Sequence, residues 1–360
     1  MVNYNETLMW KEINESVSVL PKIMEKNLAV MDKLTEKLNN SNVSGIYAVA
    51  RGTSNHALVY FKYAEEILAG LPVALGAPSI VSMYNGKINL KNQLVIGCSQ
   101  SGKAEDVISV IKRAKEQGGI TVAITNDDTS PLAKVADYHL CCYAEEEKSV
   151  AATKTFNAQL FIAIWLAYKI ANKPLDDIMG LLASYPSVFE RADKLTDLYS
   201  DKYTILDNGF VLGRGFCYSL ALEATLKLQE TGYAQIKGYA SSDFYHGPMA
   251  MVNQNTPIII YASDNNMGDG LDDARLEDEI KSIDKMISLK ARVLLVTDSQ
   301  KLYDKYNGDI DVALMPKAIN DAFSVFNFAV FAQMLACKIS CKKGLNPDSP
   351  RALNKITITK

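Results

Sequence analysis

Two stretches of this 360-residue chain place reactive residue types at a useful spacing. The first is Leu94-Val95-Ile96-Gly97-Cys98-Ser99-Gln100-Ser101-Gly102, an apolar run that ends in a small, hydroxyl-rich turn. Beyond it, Val107, Ile108, Ile111 and Ala114 share one face at a period of 3.6, with Lys112, Arg113 and Glu116 elsewhere, which predicts a helix over 105–117. The turn then lies at a helix N-terminus. Free N–H groups and the positive end of the helix dipole face outward there, and Ser99, Gln100 and Ser101 add side-chain donors, so a phosphate is the natural guest. The same tetrapeptide also suits an ordinary strand-to-helix turn whose serines only cap. The second stretch holds Glu223, Lys227 and Glu230, spaced i, i+4 and i+7 along one stripe of a helix. A carboxylate beside a lysine stays ionised near neutral pH, as a proton-moving base must, and for Glu223 and Lys227 a solvated or structural ion pair fits the same spacing.

These groups must be positioned by an α/β scaffold, because short apolar runs alternate with longer helical patterns. In the first half, strands are expected at 45–50, 94–98, 120–124 and 138–142, and a helix runs from Arg51-Gly52-Thr53-Ser54 to Ala69. The second half repeats this order, with Gly209 to Gly215, a helix over 219–230, Pro257 to Tyr261 and Arg292 to Asp298. One duplication accounts for both halves. A polar, helical link is expected around Ser184 to Lys202. The second copy carries Ala262-Ser263-Asp264-Asn265-Asn266 where the first has its serine turn, and the extra carboxylate repels a phosphate. Only the first copy is expected to bind the anion.

Composition removes several classes of partner. Lys and Arg total 38 against 41 Asp and Glu, a net charge of −3 with no basic stripe, so no footprint for nucleic acid or an anionic membrane surface exists. The polar, acidic start of the chain has no signal-peptide pattern, and the apolar stretches 160–168 and 322–337 read as buried core helices. Six cysteines, Cys98, Cys141, Cys142, Cys217, Cys337 and Cys341, form no C-x-x-C pair, which points to the cytoplasm. Cys337 and Cys341 stand i, i+4 but have no second ligand pair, so neither a metal nor another cofactor is expected.

Arg51-Gly52-Thr53-Ser54, Ser99-Gln100-Ser101-Gly102, Ala151-Ala152-Thr153-Lys154, Leu222 to Glu230, His246-Gly247-Pro248 and Asp348 to Lys355 occur in one order. That series resembles the sugar isomerase (SIS) domain family, in the double-SIS form of the isomerase half of glucosamine-6-phosphate synthase and of the stand-alone amino-sugar phosphate deaminases. The resemblance covers nearly the whole chain. It implies two tandem SIS domains, each a parallel five-stranded flavodoxin-like sheet flanked by helices. The corresponding division is a helical segment over 1–28, a phosphate-binding domain over 29–180, a second domain over 195–344, and a tail over 345–360 that covers the active site.

The resemblance also assigns roles. It selects Glu230 as the base and His246 as the group that opens the sugar ring, donated across a homodimer interface. Gly247 and Pro248 mark a turn that exposes this imidazole, although a hydrogen-bonded loop histidine fits there too. His56, just inside a helix start, and His139, in an apolar strand, read as hydrogen-bonded structural histidines. Lys355 is implied to meet the sugar carbonyl or its ring oxygen, and it can polarise the carbonyl or form a Schiff base. Thr53, Ser54, Ser99, Gln100 and Ser101 are implied around the phosphate, with Val150 and Asn354 near the sugar.

Two positions depart from the synthase pattern: Ala104 replaces a phosphate-binding Thr, and Ala152 replaces a sugar-contacting Ser. Lys103 is positioned to supply charge instead. No glutaminase domain is expected, since Met1-Val2 cannot provide an N-terminal cysteine nucleophile, so glutamine is not the expected nitrogen source. The expected activity is that of a phosphosugar aldose–ketose isomerase or deaminase, taking glucosamine 6-phosphate to fructose 6-phosphate and ammonia. A deglycase for a phosphorylated Amadori-type conjugate is the alternative within that class. A non-catalytic phosphosugar sensor is the alternative outside it, against which stands the joint presence of Glu230, His246 and Lys355.

Overall fold

The computed structural model describes residues 2–264, 267 and 272–355. After a short 3-10 turn at Tyr4–Glu6, helix α1 (Leu8–Asn39) carries Pro21 within it. The chain divides into two compact units, one of Glu15–Glu147, Ala152–Asp176 and Asn354–Lys360, the other of Met1–Asn14, Lys148–Ala151 and Asp177–Leu353.

In the first of these units the chain runs β1 (Gly45–Val49), α2 (Gly52–Leu68), β2 (Val73–Leu75), α3 (Ser79–Ser82) and β3 (Gln93–Cys98). It continues through α4 (Glu105–Glu116), β4 (Ile120–Thr125), α5 (Pro131–Val135), β5 (Tyr138–Cys141) and α6 (Lys154–Ile170). All five strands are parallel, in the order β2-β1-β3-β4-β5. The inner strands β1, β3 and β4 are almost wholly buried, which is why they read as unbroken apolar runs. Helix α6 is buried from Lys154 to Tyr168 and packs on α2, forming the centre of the core. Each buried Phe or Leu in such a helix contributes about 1.5–3 kcal/mol.

The second unit contains α7 (Asp176–Ser200), β6 (Asn208–Gly213), α8 (Phe216–Gly232), β7 (Gln235–Ala240), α9 (Ser241–Phe244) and β8 (Pro257–Ala262). Next come α10 (Asp272–Ser288), β9 (Arg292–Thr297), α11 (Gln300–Tyr306), β10 (Asp311–Leu314) and α12 (Asp321–Lys342). Its parallel sheet, ordered β10-β9-β8-β6-β7, has the same topology as the first. Helix α12 is long and apolar enough to cross a membrane, yet its apolar window is entirely buried in the fold. It packs against α8.

The stretch around Ser184 to Lys202 is helical, as α7, but it is no bare link: Leu181, Tyr185, Val188, Phe189, Ala192 and Leu195 are buried in its unit. Strands β2, β7 and β10 also complete the sheets beyond the runs the sequence displays. Asn265, Asn266, Ile356 and Thr357 lie outside the described residues.

Candidate active site

In a sheet of this order the chain leaves β1 in one direction for β2 and returns across it to β3, so the topological switch lies between β1 and β3. Ligands of open α/β sheets sit in the crevice beyond the C-terminal ends of such strands. The turns found there are Arg51-Gly52-Thr53-Ser54 after β1 and Ser99-Gln100-Ser101-Gly102 after β3.

Both helices that leave this crevice lack a side-chain cap: the N-cap of α2 is Arg51 and that of α4 is Ala104. Of the other helices, α5, α11 and α12 are capped by Ser130, Ser299 and Asn320, while the N-cap residues of α3, α6, α8 and α9 likewise give no side-chain cap. Helix starts without caps leave amide donors for a guest. Ser99 Oγ accepts from Gly102 N–H at 3.2 Å and Ser101 Oγ from Lys103 N–H at 3.4 Å. A hydroxyl used as an acceptor still has its own proton to donate. Gly102 has φ of +63°, and a Cβ there would stand 2.2 Å from Ser130 Oγ, so the tight turn requires glycine. Thr53 is half-buried, whereas Ser54 is buried beneath the turn, its Oγ accepting from Gln159 Nε2 at 3.1 Å. Arg51 joins the two turns, its Nε and Nη2 lying 2.9 and 2.8 Å from Oδ2 of the fully buried Asp106.

The carboxylate–lysine stripe lies on α8. Lys227 is fully buried, with Nζ 2.6 Å from Glu230 Oε2 and 3.3 Å from Glu223 Oε1. Glu223 is buried at 1% exposure, while Glu230 keeps 20%, so Glu230 alone of the three presents an open edge. This is not a solvated surface pair. His246 is exposed in the turn after α9, its N–H bonded to Asp243 O. Val150 donates its N–H to Asp348 O, while the Asp348 carboxylate accepts from Leu8 and Met9 N–H at the start of α1, both at 2.8 Å. In the unit of the first sheet, Lys355 Nζ lies 2.8 Å from Glu147 Oε2, and Asn354 is exposed.

His139 Nε2 lies 2.8 Å from Thr125 Oγ1, and burial pushes its pKa down, so it is a hydrogen-bonded strand histidine. His56 is half-buried near the start of α2. All six cysteines are free and buried, and no metal-holding cluster occurs among the described residues. At the matching turn of the second sheet, Asp264 Oδ2 accepts from Ser299 Oγ at 2.5 Å and Oδ1 pairs with Lys317. Burial pushes the Asp264 carboxyl up, and the Lys317 and Ser299 donors outweigh it, leaving the pKa below the ordinary range. That turn thus holds an anion of its own.

The sequence profile of the SIS domain matches residues 38–169 and 207–300. The chain belongs to the SIS domain family. Among curated relatives, the glutamine–fructose-6-phosphate aminotransferase (isomerizing) of Aquifex aeolicus (strain VF5) is 30% identical over 98% of this chain. The corresponding protein of Sulfolobus acidocaldarius is 28% identical, also over 98% of this chain. The SIS chain spans only 57% and 56% of their lengths, a little more than half. In structure it resembles the C-terminal domain of glucosamine-fructose-6-phosphate aminotransferase from Francisella tularensis, with a TM-score of 0.83 at 24% identity, covering 96% of this chain and 98% of that one. It is also similar to glucosamine-6-phosphate deaminase from Thermotoga maritima, with a TM-score of 0.77 at 24% identity, covering 98% and 100%. These two likenesses establish the double-SIS fold.

Several residues of the SIS chain matter to the site although sequence reasoning passes over them. Glu147, Asp348, Glu12 and the Arg51–Asp106 pair hold the segments that carry candidate groups; the Glu12 carboxylate, for instance, accepts from the N–H groups of Lys148 and Ser149. The one available signal is the run Glu145-Glu146-Glu147 shortly before the start of α6, where a carboxylate can cap a helix.

Proposed function

We propose that this SIS chain is a phosphosugar aldose–ketose isomerase acting as a deaminase, converting glucosamine 6-phosphate to fructose 6-phosphate and ammonia. The observation that carries the reading is Glu230, an open-edged carboxylate held 2.6 Å from a fully buried lysine. Its steps follow from the chemistry of an amino sugar. His246 moves the O1 proton to O5 and opens the ring. Glu230 then takes the proton from C2 of the open aldehyde and returns it to C1, while a proton passes from the amino nitrogen to O1, turning the 2-amino aldose into a ketose imine with a C1 hydroxyl. Water adds at C2 of that imine, and the C–N bond breaks to release ammonia and the ketone. The uncapped starts of α2 and α4, with Ser99, Gln100 and Ser101, hold the phosphate. The names of the relatives support the sugar class, since they pair fructose 6-phosphate with an amino group.

The test is ammonia release from glucosamine 6-phosphate, coupled to detection of fructose 6-phosphate, with Glu230→Gln as control. Release by the wild type alone supports substrate and base together; equal release by the variant removes the assigned base. Ala104 brings only a methyl group and no hydrogen-bonding side chain to the α4 start, and Ala152 is half-buried, so a bulkier phosphorylated Amadori-type conjugate is the second substrate to assay.

A further inference from the structure

Lys355 is anchored rather than solvated: its Nζ lies 2.8 Å from an oxygen of Glu147, a residue 208 positions earlier. The Glu147 side chain is fully buried, whereas Lys355 keeps 22% exposure. The same carboxylate accepts from Thr153 N–H at 2.9 Å, Thr155 N–H at 3.1 Å and Thr155 Oγ1 at 2.7 Å. It thereby closes the first turn of α6, whose own N-cap residue, Thr153, contributes no side-chain cap. Burial pushes the Glu147 carboxyl up, and the Lys355 ammonium with the threonine donors more than offsets this, holding it below the ordinary carboxylate range.

A short side chain gripped by three donors of one helix start has a fixed place, whereas lysine is a point charge on a flexible four-carbon stem. The carboxylate is therefore the anchor and the tail lysine the anchored group. Burial makes this choice selective, because an ionised carboxylate removed from water strongly favours a cation over a neutral partner.

We propose that Glu147 is a positioning residue, a buried dock that seats the Lys355 ammonium and so fixes where the tail presents its lysine to a bound sugar phosphate. This rests on the reading of Lys355 as the group that meets the sugar carbonyl. A docked lysine reaches the carbonyl as a preplaced charge, without ordering of the tail at each turnover.

The test uses the full chain and needs no turnover. A brief pulse of acetic anhydride labels free amines, and peptide mass spectrometry compares Lys355 with the exposed Lys103. In the wild type Lys355 should label several-fold more slowly than Lys103. In Glu147→Gln it should approach the Lys103 rate, while Thr155→Val, which loosens the α6 start but keeps the dock, should leave it slow. Where Glu147→Gln fails to fold, Glu147→Asp shortens the dock by one methylene and should raise Lys355 labelling in a folded protein. Unchanged Lys355 labelling in a folded Glu147 variant, or an equal rise with Thr155→Val, overturns the proposal. Kinetics separate the dock from the reaction it serves. If glucosamine 6-phosphate is turned over, Glu147→Gln should lower kcat at least tenfold with KM changed less than twofold, and wild-type kinetics in that variant overturn the dock alone. If the wild type releases no ammonia while the labelling pattern holds, the dock stands and the assigned reaction fails.

Discussion

The two sheets share one strand order and part company at one turn. After β3 the chain places Ser99, Gln100, Ser101 and Gly102 before an uncapped helix, leaving several donors for a guest. After β8 it places Ser263 and Asp264, and the carboxylate of Asp264 takes the donors of Ser299 and Lys317. In the proposed function the duplicated scaffold thus keeps its anion cradle in one copy, while in the other a carboxylate of the chain fills the matching place. Function follows the residues at the turn and not the fold. The second copy carries instead the Glu223–Lys227–Glu230 stripe on α8, to which the proposed function gives the proton transfer.

The sharpest way to break this division of labour is Glu230→Gln. It should cost about 100- to 10,000-fold in kcat, the usual worth of a general base, while binding of glucosamine 6-phosphate by titration calorimetry stays within twofold. A comparable loss of binding would place Glu230 in the cradle's role and dissolve the distinction. Next in size is Gly102→Ala, which forces a side chain into a left-handed turn against Ser130. The strain is on the order of 1–3 kcal/mol, so a rise of about tenfold in the Kd for glucose 6-phosphate is expected, with a lower Tm. Ser99→Ala should raise the same Kd about fivefold, the equivalent of one neutral hydrogen bond near 1 kcal/mol, whereas Ser263→Ala at the filled turn should leave it unchanged. An equal effect of both alanines would show that the two turns do the same work.

The smallest effect is expected for Asp264→Asn, read through pH. Its folded pKa is depressed below that of the unfolded chain, about 3.9, so its contribution is fully present above that value and is lost as pH falls through the folded pKa. The stability difference between wild type and Asp264→Asn, on the order of 1 kcal/mol for this partly exposed pair, should therefore be seen at pH 7 and shrink as pH falls below about 3.9 toward the depressed folded value. Denaturant midpoints at pH 7 and at successively lower pH measure it. A difference that persists at low pH would mean that Asp264 acts through packing and not as the resident anion.

Much of the fold is legible in the sequence because the inner strands are buried on both faces and therefore spell unbroken apolar runs, as in Leu94 to Cys98 or Pro257 to Tyr261. Edge strands lose that signal. In β2 only Val73 is buried, β7 carries the exposed Gln235 and Lys237, and β10 opens on Asp311. The serine turn and the α8 stripe are equally legible, since helix periodicity places their members locally. What sequence spacing does not display is pairing over distance. Glu147 with Lys355, Arg51 with Asp106 and Asp348 with the start of α1 are joined by the fold alone. Nor does spacing say which carboxylate of Glu223 and Glu230 stays open, because that depends on burial against elements far along the chain.

The most direct test of proton transfer by Glu230 is exchange at C1 of fructose 6-phosphate in deuterium oxide, followed by proton NMR for wild type and Glu230→Gln side by side. The wild type should replace a C1 hydrogen with deuterium, and the variant should bind the sugar phosphate without exchange. A wild type that binds fructose 6-phosphate yet leaves C1 untouched, or a variant that exchanges as fast, would contradict the assignment.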